Sequence, residues 1–531
     1  MTLEGRHVSI GHDCTVYFGV LGLVILLIPG VVGMVGGKRS LEIEWVFNTS
    51  DQFPGKSFGS GHRTPPTIWD IDGDGIDEIL WGTRRGDSKR LWCIEGDGSF
   101  QWIYPPISQE GLGGNPTSKV SLIDVDGDGV LELAFGDTGG RLHVVNPDGS
   151  LEWFWDNPTE SGIYGPPQAM DIDGDGLVEF FVNDNNGFVY RLNHLGEKVW
   201  ESRQYDHSMS QPTICDLDRD GRYEVVFSEY HGRVICLDAM LGSLKWIYSA
   251  EIDGSINPFV SVMDVNKDGF NEIIAWGEGL TENTGGVYCI SYYGTSIWHW
   301  PTPVQGHARV CQALGDVDED GSLEIILTTT YGIYCVDIGG VAPVLRWEIN
   351  VTEMYDQGVL PAPAEPSHWG NYQLIVDFDG DDKLEVLLQV PYPIVLDAET
   401  GEIEACYYNP DIASGRRPEN GGAWGDVDND GKSEWVMDLN GVSHEKSQIY
   451  CFTMGGKYPA KAFWAEYSHS AYPAQYQAEQ EWLLLKGVSS NSLWFPVHEF
   501  LSTNIAVLLT IGLLKTQHGV ITSLDPLGGD W

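Results

Sequence analysis

The stretch that decides the fold is "WDIDGDGIDEIL", residues 69–80. Asp70, Asp72 and Asp74 alternate along it, a glycine follows, and Glu78 closes the run, so carboxylates stand at positions 1, 3, 5 and 9 of a short loop. Without an ion, carboxylates about 5 Å apart would repel each other by roughly 1 to 3 kcal/mol per pair at intermediate dielectric. Calcium takes about six to eight oxygen ligands. The spacing therefore predicts a calcium loop, with the glycine at position 6 allowing the bend.

The residues after the loop exclude an EF-hand. An EF-hand loop ends in a bidentate Glu at position 12 and is flanked by helices, whereas position 12 here is Trp81. The run "ILWG" that follows Glu78 is short, apolar and ends in glycine, which is typical of a buried strand. The loop is therefore predicted to join two strands.

The same loop occurs eight times, and the spacing between first aspartates is 45 to 61 residues. Asn266 replaces the second Asp of one copy and keeps an oxygen ligand, and Asp382 replaces the glycine of another, which Asp tolerates because it visits left-handed conformations. The predicted ligands are the side chains at positions 1, 3, 5 and 9 and the backbone carbonyl at position 7. They are Asp70, Asp72, Asp74, Ile76, Glu78; Asp124, Asp126, Asp128, Val130, Glu132; Asp171, Asp173, Asp175, Leu177, Glu179; Asp216, Asp218, Asp220, Arg222, Glu224; Asp264, Asn266, Asp268, Phe270, Glu272; Asp316, Asp318, Asp320, Ser322, Glu324; Asp377, Asp379, Asp381, Lys383, Glu385; Asp426, Asp428, Asp430, Lys432, Glu434.

Each repeat contains four short strand patterns. One precedes the loop, one follows it, a third comes next ("RLWCIE", "RVICLD"), and a fourth carries a tryptophan, as in "FQWIY" and "LKWIY". Four short strands at a period near 50, separated by Gly, Asn and Asp turns, are typical of one blade of a β-propeller. The sequence thus predicts an all-β, eight-bladed propeller of four-stranded antiparallel blades, with seven blades as the alternative. Either residues 41–48 or the strand around Trp464 could close the ring.

The chain resembles the FG-GAP (VCBS) repeat family over roughly residues 41–470, and "FGSGHRTPPTIWDIDGDG" is the stretch most similar to the family pattern. The resemblance implies an extracellular propeller with a structural calcium in each intact loop, up to eight in all. It also implies a role in adhesion or ligand binding.

Composition agrees with an extracellular location. The formal net charge is −47, and 31 of the carboxylates (four in each of eight loops, less one for Asn266) stand in the loops. The remaining surface is acidic, so nucleic acid is a poor partner. Extracellular calcium modules bind with dissociation constants of about 10⁻⁴ to 10⁻³ M, which suits the outside of a cell.

The termini are predicted to be separate segments. Residues 14–37 carry no charge over 24 positions, which as a helix is about 36 Å and would cross a bilayer core of about 30 Å. We therefore predict a stub and transmembrane helix over 1–40 that anchors the propeller of 41–470 on the extracellular face of the membrane, or that is cleaved to release it. Residues 471–531 are predicted to be a C-terminal tail, for which a membrane contact, a helix packed on the propeller and a disordered segment are the alternatives.

A ligand site is predicted where the segments before the eight first strands meet near the central axis. Basic and aromatic residues concentrate there in a chain with only 30 Lys and Arg, which favours an anionic or polyhydroxylated glycan, or a protein partner. The candidates are His62, Arg63, Lys119, Tyr164, His207, His307, Arg309, His368, Trp369, Arg416 and Arg417.

Two enzyme classes are alternatives. The layout also resembles calcium-rich, eight-bladed rhamnogalacturonan lyases, for which the His and Lys of the ring would act as bases at the central axis. "CLDAMLGSLKW" and "VLDAETGEIEA" resemble quinoprotein blades. No catalytic residue is assigned, because the sequence gives candidates without geometry.

Overall fold

The structure is a computed structural model that describes the chain over a set of residue ranges. The described residues are 8–9, 15–18, 24–27, 41–54, 56, 65–83, 89–108, 114–208, 210–250, 256–277, 285–301, 313–329, 332–350, 373–390, 392–407, 421–439, 448–457 and 462–464. They all belong to one compact unit, Met1–Gly487, and the second unit, Val488–Trp531, lies outside them. The tail predicted over 471–531 is likewise outside the described residues.

The N-terminal segment contains strands where the sequence predicted a helix. Strands β1 (Val8–Ser9), β2 (Thr15–Phe18) and β3 (Val24–Leu27) form an antiparallel sheet. The transmembrane helix predicted over 14–37 is therefore wrong for these residues. Its apolar runs are short, rich in β-branched and aromatic residues, and separated by glycines, a composition that favours strands over a continuous helix. Within the described ranges, no helix has the length and apolarity needed to cross a membrane, and the membrane contact itself stays a prediction.

The repeats form eight antiparallel sheets, which we call blades 1 to 8 in chain order. Strand β4 (Glu42–Asn48) and the short helix α1 (Thr49–Gln52) precede them. Blades 1 to 4 are β5 (Thr67–Trp69), β6 (Glu78–Thr83), β7 (Arg90–Glu95), β8 (Phe100–Tyr104); β9 (Ser121–Ile123), β10 (Glu132–Gly136), β11 (Arg141–Val145), β12 (Leu151–Asp156); β13 (Gln168–Met170), β14 (Glu179–Asn183), β15 (Val189–Leu192), β16 (Lys198–Glu201); and β17 (Thr213–Cys215), β18 (Glu224–Glu229), β19 (Arg233–Asp238), β20 (Leu244–Ser249).

Blades 5 to 7 follow the same order. They are β21 (Ile256–Met263), β22 (Glu272–Gly277), β23 (Gly286–Ile290), β24 (Ser296–Pro301); β25 (Ala313–Gly315), β26 (Glu324–Thr328), β27 (Gly332–Asp337), β28 (Val344–Asn350); and β29 (Leu374–Val376), β30 (Glu385–Val390), β31 (Tyr392–Asp397), β32 (Ile403–Cys406). Blade 8 contains β33 (Gly422–Gly425), β34 (Lys432–Asp438) and β35 (Gln448–Lys457), and β36 (Ala462–Trp464) is the last strand. The prediction of eight antiparallel blades is confirmed; seven have four strands and blade 7 has a fifth.

The ring is closed by the N-terminal strand. Strand β4 pairs with β35 and supplies the fourth strand of blade 8, with Trp45 opposite Cys451. Strand β36 instead pairs with β29, placing Trp464 opposite Ile375, and makes blade 7 five-stranded. Of the two strands that the sequence offered for closure, the first is therefore the one used, and a blade built from both ends of the chain holds the ring together.

The core lies between neighbouring blades. The middle strands β6 and β10 are buried along their whole length, whereas the outer strand β12 alternates between exposed and half-buried residues. Apolar side chains of one blade pack against those of the next, as Leu80 and Leu91 do with Leu133 and Phe135. Each acidic loop therefore stands at one end of a rigid, buried pair of strands.

A tryptophan on each of six fourth strands contacts a turn glycine of the following blade. Trp45 packs on Gly98, where an added Cβ would lie 2.8 Å from the indole, and its Nε1–H donates to the Gly96 carbonyl at 2.8 Å. The glycine φ is positive, as at Gly98 (81°). The other five pairs are Trp102 with Gly149, Trp153 with Gly196, Trp200 with Gly242, Trp246 with Gly294, and Trp347 with Gly401. Contact between Trp45 and blade 1 ties the closing strand to the start of the ring.

Candidate metal-binding loops

The aspartates fold each loop by accepting backbone hydrogen bonds. In blade 1, the Gly73 and Gly75 amides donate to the Asp70 carboxylate at 2.7 and 3.0 Å, and the Ile76 amide donates to Asp74 Oδ1 at 2.8 Å. In all eight loops the amide of position 6 donates to the carboxylate of position 1. The amide of position 7 donates to position 5 in the same way. The eight loops therefore share one conformation.

Two positions in every loop have a left-handed backbone. Position 6 has φ between 72° and 96°, and Asp382 adopts 72° there, so the predicted tolerance of this substitution is confirmed. Position 4 is also left-handed, with φ of 56° to 79°. Four of the loops have a residue other than glycine there, namely Arg219, Lys267, Glu319 and Asn429. Left-handed non-glycine residues are uncommon. The requirement at position 4 was not predicted from the sequence.

The glutamate at position 9 is the first residue of the second strand in blades 1 to 7 and lies within that strand in blade 8. It is at most 6% exposed in all eight loops. One carboxylate oxygen accepts the backbone N–H of position 2 at 2.6 to 3.1 Å. The second oxygen of Glu434 is buried and accepts no hydrogen bond, and neither do Asp218 Oδ1 and Asp316 Oδ1. Buried, unpartnered carboxylate oxygens are costly, and a cation among them would remove that cost.

Carboxylate oxygens converge closely enough to share one ion. In the described part of the chain, seven groups of three His, Cys, Asp or Glu side chains have ligand atoms within 4.8 Å of one another. Five of these groups are positions 1, 3 and 9 of the loops in blades 1, 2, 3, 4 and 6. An all-oxygen set suits a hard divalent cation. The predicted loop residues therefore fit a metal ion, which positions 1, 3 and 9 would hold.

Burial and crowding raise the pKa of the position 9 carboxyls. For Glu434, burial and then the charge of Glu44 raise the pKa to about 9. For Glu385, burial and then Asp379 also raise it to about 9. Burial, opposed by the backbone hydrogen bond from Val317, raises the pKa of Glu324 to about 8. Without an ion, these loops therefore hold protons at neutral pH.

In three loops a cation from the chain itself contacts both position 3 and position 9, whereas Arg219 beside Asp264 of blade 5 and Lys432 beside Asp430 of blade 8 each contact one loop carboxylate. Arg191 Nη2 lies 3.4 Å from Asp173 and 3.1 Å from Glu179 in blade 3. Lys245 lies on the fourth strand of blade 4 and Arg346 on that of blade 6, and both contact their own loop in the same way. The sequence analysis missed these residues. For Lys245 and Arg346 the signal is their position immediately before the fourth-strand tryptophan.

The residue at that same fourth-strand position differs in blades 1 and 8. Gln101 donates from Nε2 to Asp72 Oδ2 at 3.3 Å. Glu44 adds a further negative charge beside Asp428 and Glu434, and burial followed by the charge of Asp428 raises its own pKa. In blade 5 the loop residue Asn266 donates from its amide to Glu272 Oε1 at 3.1 Å. The loops thus differ in local charge despite their common backbone.

Few of the predicted ligand-ring residues lie in the described ranges. Lys119 is 1% exposed, and Tyr164 is half-buried. His207 is half-buried and its ring stands 5.7 Å from that of Tyr230 in an edge-to-face arrangement. The residues outside the described ranges are His62, Arg63, His307, Arg309, His368, Trp369, Arg416 and Arg417. The shared ligand ring stays a prediction.

The fold and the loops define the class of this protein. It is an eight-bladed β-propeller with an acidic loop between the first two strands of each blade. A family model for the FG-GAP-like repeat matches residues 70–135, from the loop of blade 1 to strand β10 of blade 2. Residues 70–135 therefore contain an FG-GAP-like repeat, and together with the eight-bladed ring this match confirms the resemblance to the FG-GAP/VCBS family seen in the sequence. No curated protein sequence matches the chain significantly.

Solved structures share the fold at low sequence identity. The Vibrio cholerae biofilm matrix protein Bap1 matches with a TM-score of 0.60 and 14% identity, covering 82% of this chain and 97% of that one. BamB from Moraxella catarrhalis matches with a TM-score of 0.46 and 14% identity, over 78% and 97% of the two chains. The quinohemoprotein alcohol dehydrogenase of Comamonas testosteroni matches with a TM-score of 0.49 and 12% identity, over 79% and 77%. Only the first has a TM-score above 0.5, and it supports the fold.

Proposed function

We propose that this protein is a calcium-stabilised propeller that acts outside the cell as an adhesion or ligand-binding module. The observation that carries the calcium part is the buried Glu434 oxygen without a hydrogen-bond partner, set among the carboxylates of its loop. Calcium is favoured over magnesium because loop carboxylates and carbonyls can offer it more than six oxygens, whereas magnesium demands a stricter octahedron and keeps its waters.

Calcium in this proposal is structural. The unfolded chain does not present the loops preformed, so each bound ion stabilises the folded state by mass action. At a free concentration ten times the dissociation constant, one site contributes about 1.4 kcal/mol. Millimolar calcium outside a cell reaches this range for sites of about 10⁻⁴ M, which supports the extracellular location.

The adhesion part of the proposal draws on fold and sequence. The structure with the highest TM-score among those described above is a biofilm matrix protein. The segments before the first strands are predicted to reach one face of the propeller, and the basic and aromatic residues predicted there would suit an acidic glycan or a protein partner. Changing Arg309, Arg416 and Arg417 together to Ala should abolish binding to an acidic glycan array, and unaltered binding would exclude the glycan hypothesis.

Calcium dependence is tested on the full chain by metal analysis and thermal unfolding. Protein equilibrated with about 1 mM free calcium should hold bound calcium, and EGTA should lower the melting temperature, with recovery when calcium is added in excess. Magnesium at the same concentration is the control and should restore little. Protein that holds no alkaline-earth metal and melts identically with and without EGTA would contradict the proposal.

A further inference from the structure

We propose that Arg191, Lys245 and Arg346 are resident counter-ions that replace calcium in the loops of blades 3, 4 and 6. Those three loops then stay free of calcium at concentrations that fill the loops lacking such a cation. This inference rests on the proposed calcium function and assigns which loops use it.

The three cations contact the same pair of carboxylates that a metal would bridge. Lys245 Nζ lies 3.7 Å from Asp218 and 2.5 Å from Glu224, which are positions 3 and 9 of the blade 4 loop. Arg191 meets the corresponding pair in blade 3 at 3.4 and 3.1 Å. Since positions 3 and 9 also belong to the converging groups of oxygens, a calcium ion and the side-chain cation would compete for the same oxygens.

Blade 6 shows the most extensive replacement. Arg346 Nη2 lies 2.5 Å from Asp318, 3.0 Å from Asp320 and 3.7 Å from Glu324. Its guanidinium also lies 3.7 Å from Asp337 on strand β27. A planar guanidinium with five N–H donors can serve several carboxylates at once. This arginine therefore compensates charge at positions 3 and 5 and lies near position 9, while Glu324 Oε1 accepts no hydrogen bond.

Two different positions in the blade supply these cations. Lys245 and Arg346 precede the fourth-strand tryptophan, where a bulge in the pairing of the third and fourth strands turns the extra residue toward the loop. In blade 3 the corresponding residue is Val199, and Arg191 reaches the loop from the third strand instead. The same charge placement thus arises from two strands, which indicates that the charge matters more than the position.

Because Arg191 is buried, calcium should displace it from the blade 3 loop less easily than it displaces Lys245 or Arg346 from theirs. The Arg191 side chain is 6% exposed, and its Nη1 donates to the Met240 carbonyl at 3.2 Å. The side chains of Lys245 and Arg346 are 34% and 35% exposed, so they can turn away into water. Calcium should therefore be excluded most strictly from blade 3.

Blades 1, 2 and 8 provide the contrast. In the part of the chain that the structure describes, no lysine or arginine pairs with both position 3 and position 9 of these loops. Blade 1 has the neutral Gln101 and blade 8 the acidic Glu44 at the fourth-strand position. In blade 8 the loop residue Lys432 pairs with Asp430 at position 5, so it is positions 3 and 9 of these loops that are left for an ion.

The test is the number of calcium ions bound per full-length chain, measured by equilibrium dialysis with metal analysis at about 1 mM free calcium, a typical extracellular range. Lys245→Gln and Arg346→Gln should each add about one bound ion, because each returns one loop to the charge of the others. Lys198→Gln is the matched control, since Lys198 pairs with Glu201 at 2.5 Å on an outer strand away from any loop. It should leave the count unchanged.

If a Gln variant folds poorly, a conservative substitution and thermal unfolding still test the proposal. Lys245→Arg preserves the charge and should bind as many ions as the unchanged chain. In EGTA, Arg346→Gln should melt at a lower temperature than the unchanged protein, and calcium should remove that difference. If the Gln variants bind no additional calcium and calcium does not restore their melting temperature, the proposal of resident counter-ions is wrong, while the proposed calcium function still stands. A chain that binds no calcium in any variant would overturn both.

Discussion

The loops of blades 6 and 8 have one sequence pattern and one backbone, but opposite charge at the residue before the fourth-strand tryptophan. In blade 6 that residue is Arg346, which contacts Asp318 and Glu324. In blade 8 it is Glu44, whose charge raises the pKa of Glu434. The motif therefore fixes how the loop folds, while the outer strand sets the charge beside the loop.

The largest expected effect is a dependence on pH that calcium partly reverses. Without calcium, the folded-state pKa of Glu434 is about 9 and that of Glu324 about 8, against about 4.5 in the unfolded chain. The folded state then binds more protons, so stability should fall as pH rises from about 4.5 through these values, by up to about 1.4 kcal/mol per pH unit for each group. With calcium, which binds the ionised carboxylates, the part of the fall due to Glu434 should disappear, whereas the part due to Glu324, whose loop is proposed to stay free of calcium, should remain.

The measurement is a series of thermal melts from about pH 5 to pH 9 in EGTA and in calcium. Glu434→Gln should reduce the slope of the EGTA curve up to about pH 9, whereas Glu324→Gln should reduce it only up to about pH 8, because each variant removes one of the raised carboxyls and leaves the others. A melting temperature in EGTA that is constant or rises over this range would show that the carboxyls are not held protonated.

The next effect concerns the tryptophans that follow the two charged residues. Trp45 contacts Gly98 and donates to the Gly96 carbonyl, and Trp347 contacts Gly401 and donates to the Ala398 carbonyl at 3.0 Å. Because the local contacts match, replacing either tryptophan by Ala should cost about 3 kcal/mol of unfolding free energy.

Chemical denaturation measures the unfolding free energy of the two variants, and limited proteolysis distinguishes the effects in the two blades. Only the Trp45 variant should expose strand β4 to cleavage, since that strand is held by pairing with a segment about 400 residues away. Equal resistance to protease would mean that Trp45 does not secure the closing strand.

A smaller difference should separate the position 9 glutamates. Glu434→Gln should remove the contribution of one ion, about 1.4 kcal/mol at ten times the dissociation constant, because the amide cannot replace the charge. Glu324→Gln should leave the gain from calcium unchanged, since Arg346 already compensates its loop. The quantity to compare is the change in unfolding free energy between EGTA and calcium, and equal losses in the two variants would remove the distinction.

The smallest effect is expected at Glu44. Its carboxylate adds charge near the blade 8 loop without being one of the loop positions, so Glu44→Gln should weaken calcium binding by about threefold, or about 0.7 kcal/mol. Calorimetric titration measures the affinity. Glu348→Gln is the control, because this exposed residue lies two positions beyond Arg346 on an outer strand. An unchanged affinity in the Glu44 variant would mean that only positive charges before the fourth-strand tryptophan affect calcium binding.

Sequence analysis predicted much of the fold because the repeat is local. The alternation of Asp70, Asp72 and Asp74 with glycine encodes hydrogen bonds within six residues, and four strand patterns between successive loops define a blade. The N-terminal helix was predicted wrongly because uncharged length alone was used, although short β-branched runs between glycines favour strands. The left-handed position 4 was missed because four of its residues are not glycine.

The sequence by itself determined the eight loops, the strands that flank them and the ligand atoms that each loop offers, since all of these depend on neighbours a few residues apart. Only the tertiary structure decided that β4 closes blade 8 and that Arg346, 28 residues beyond Asp318, contacts it. Such contacts depend on which strands pair and where a bulge turns a side chain. Charge acts through space at these short distances, so identical motifs acquire different local charge.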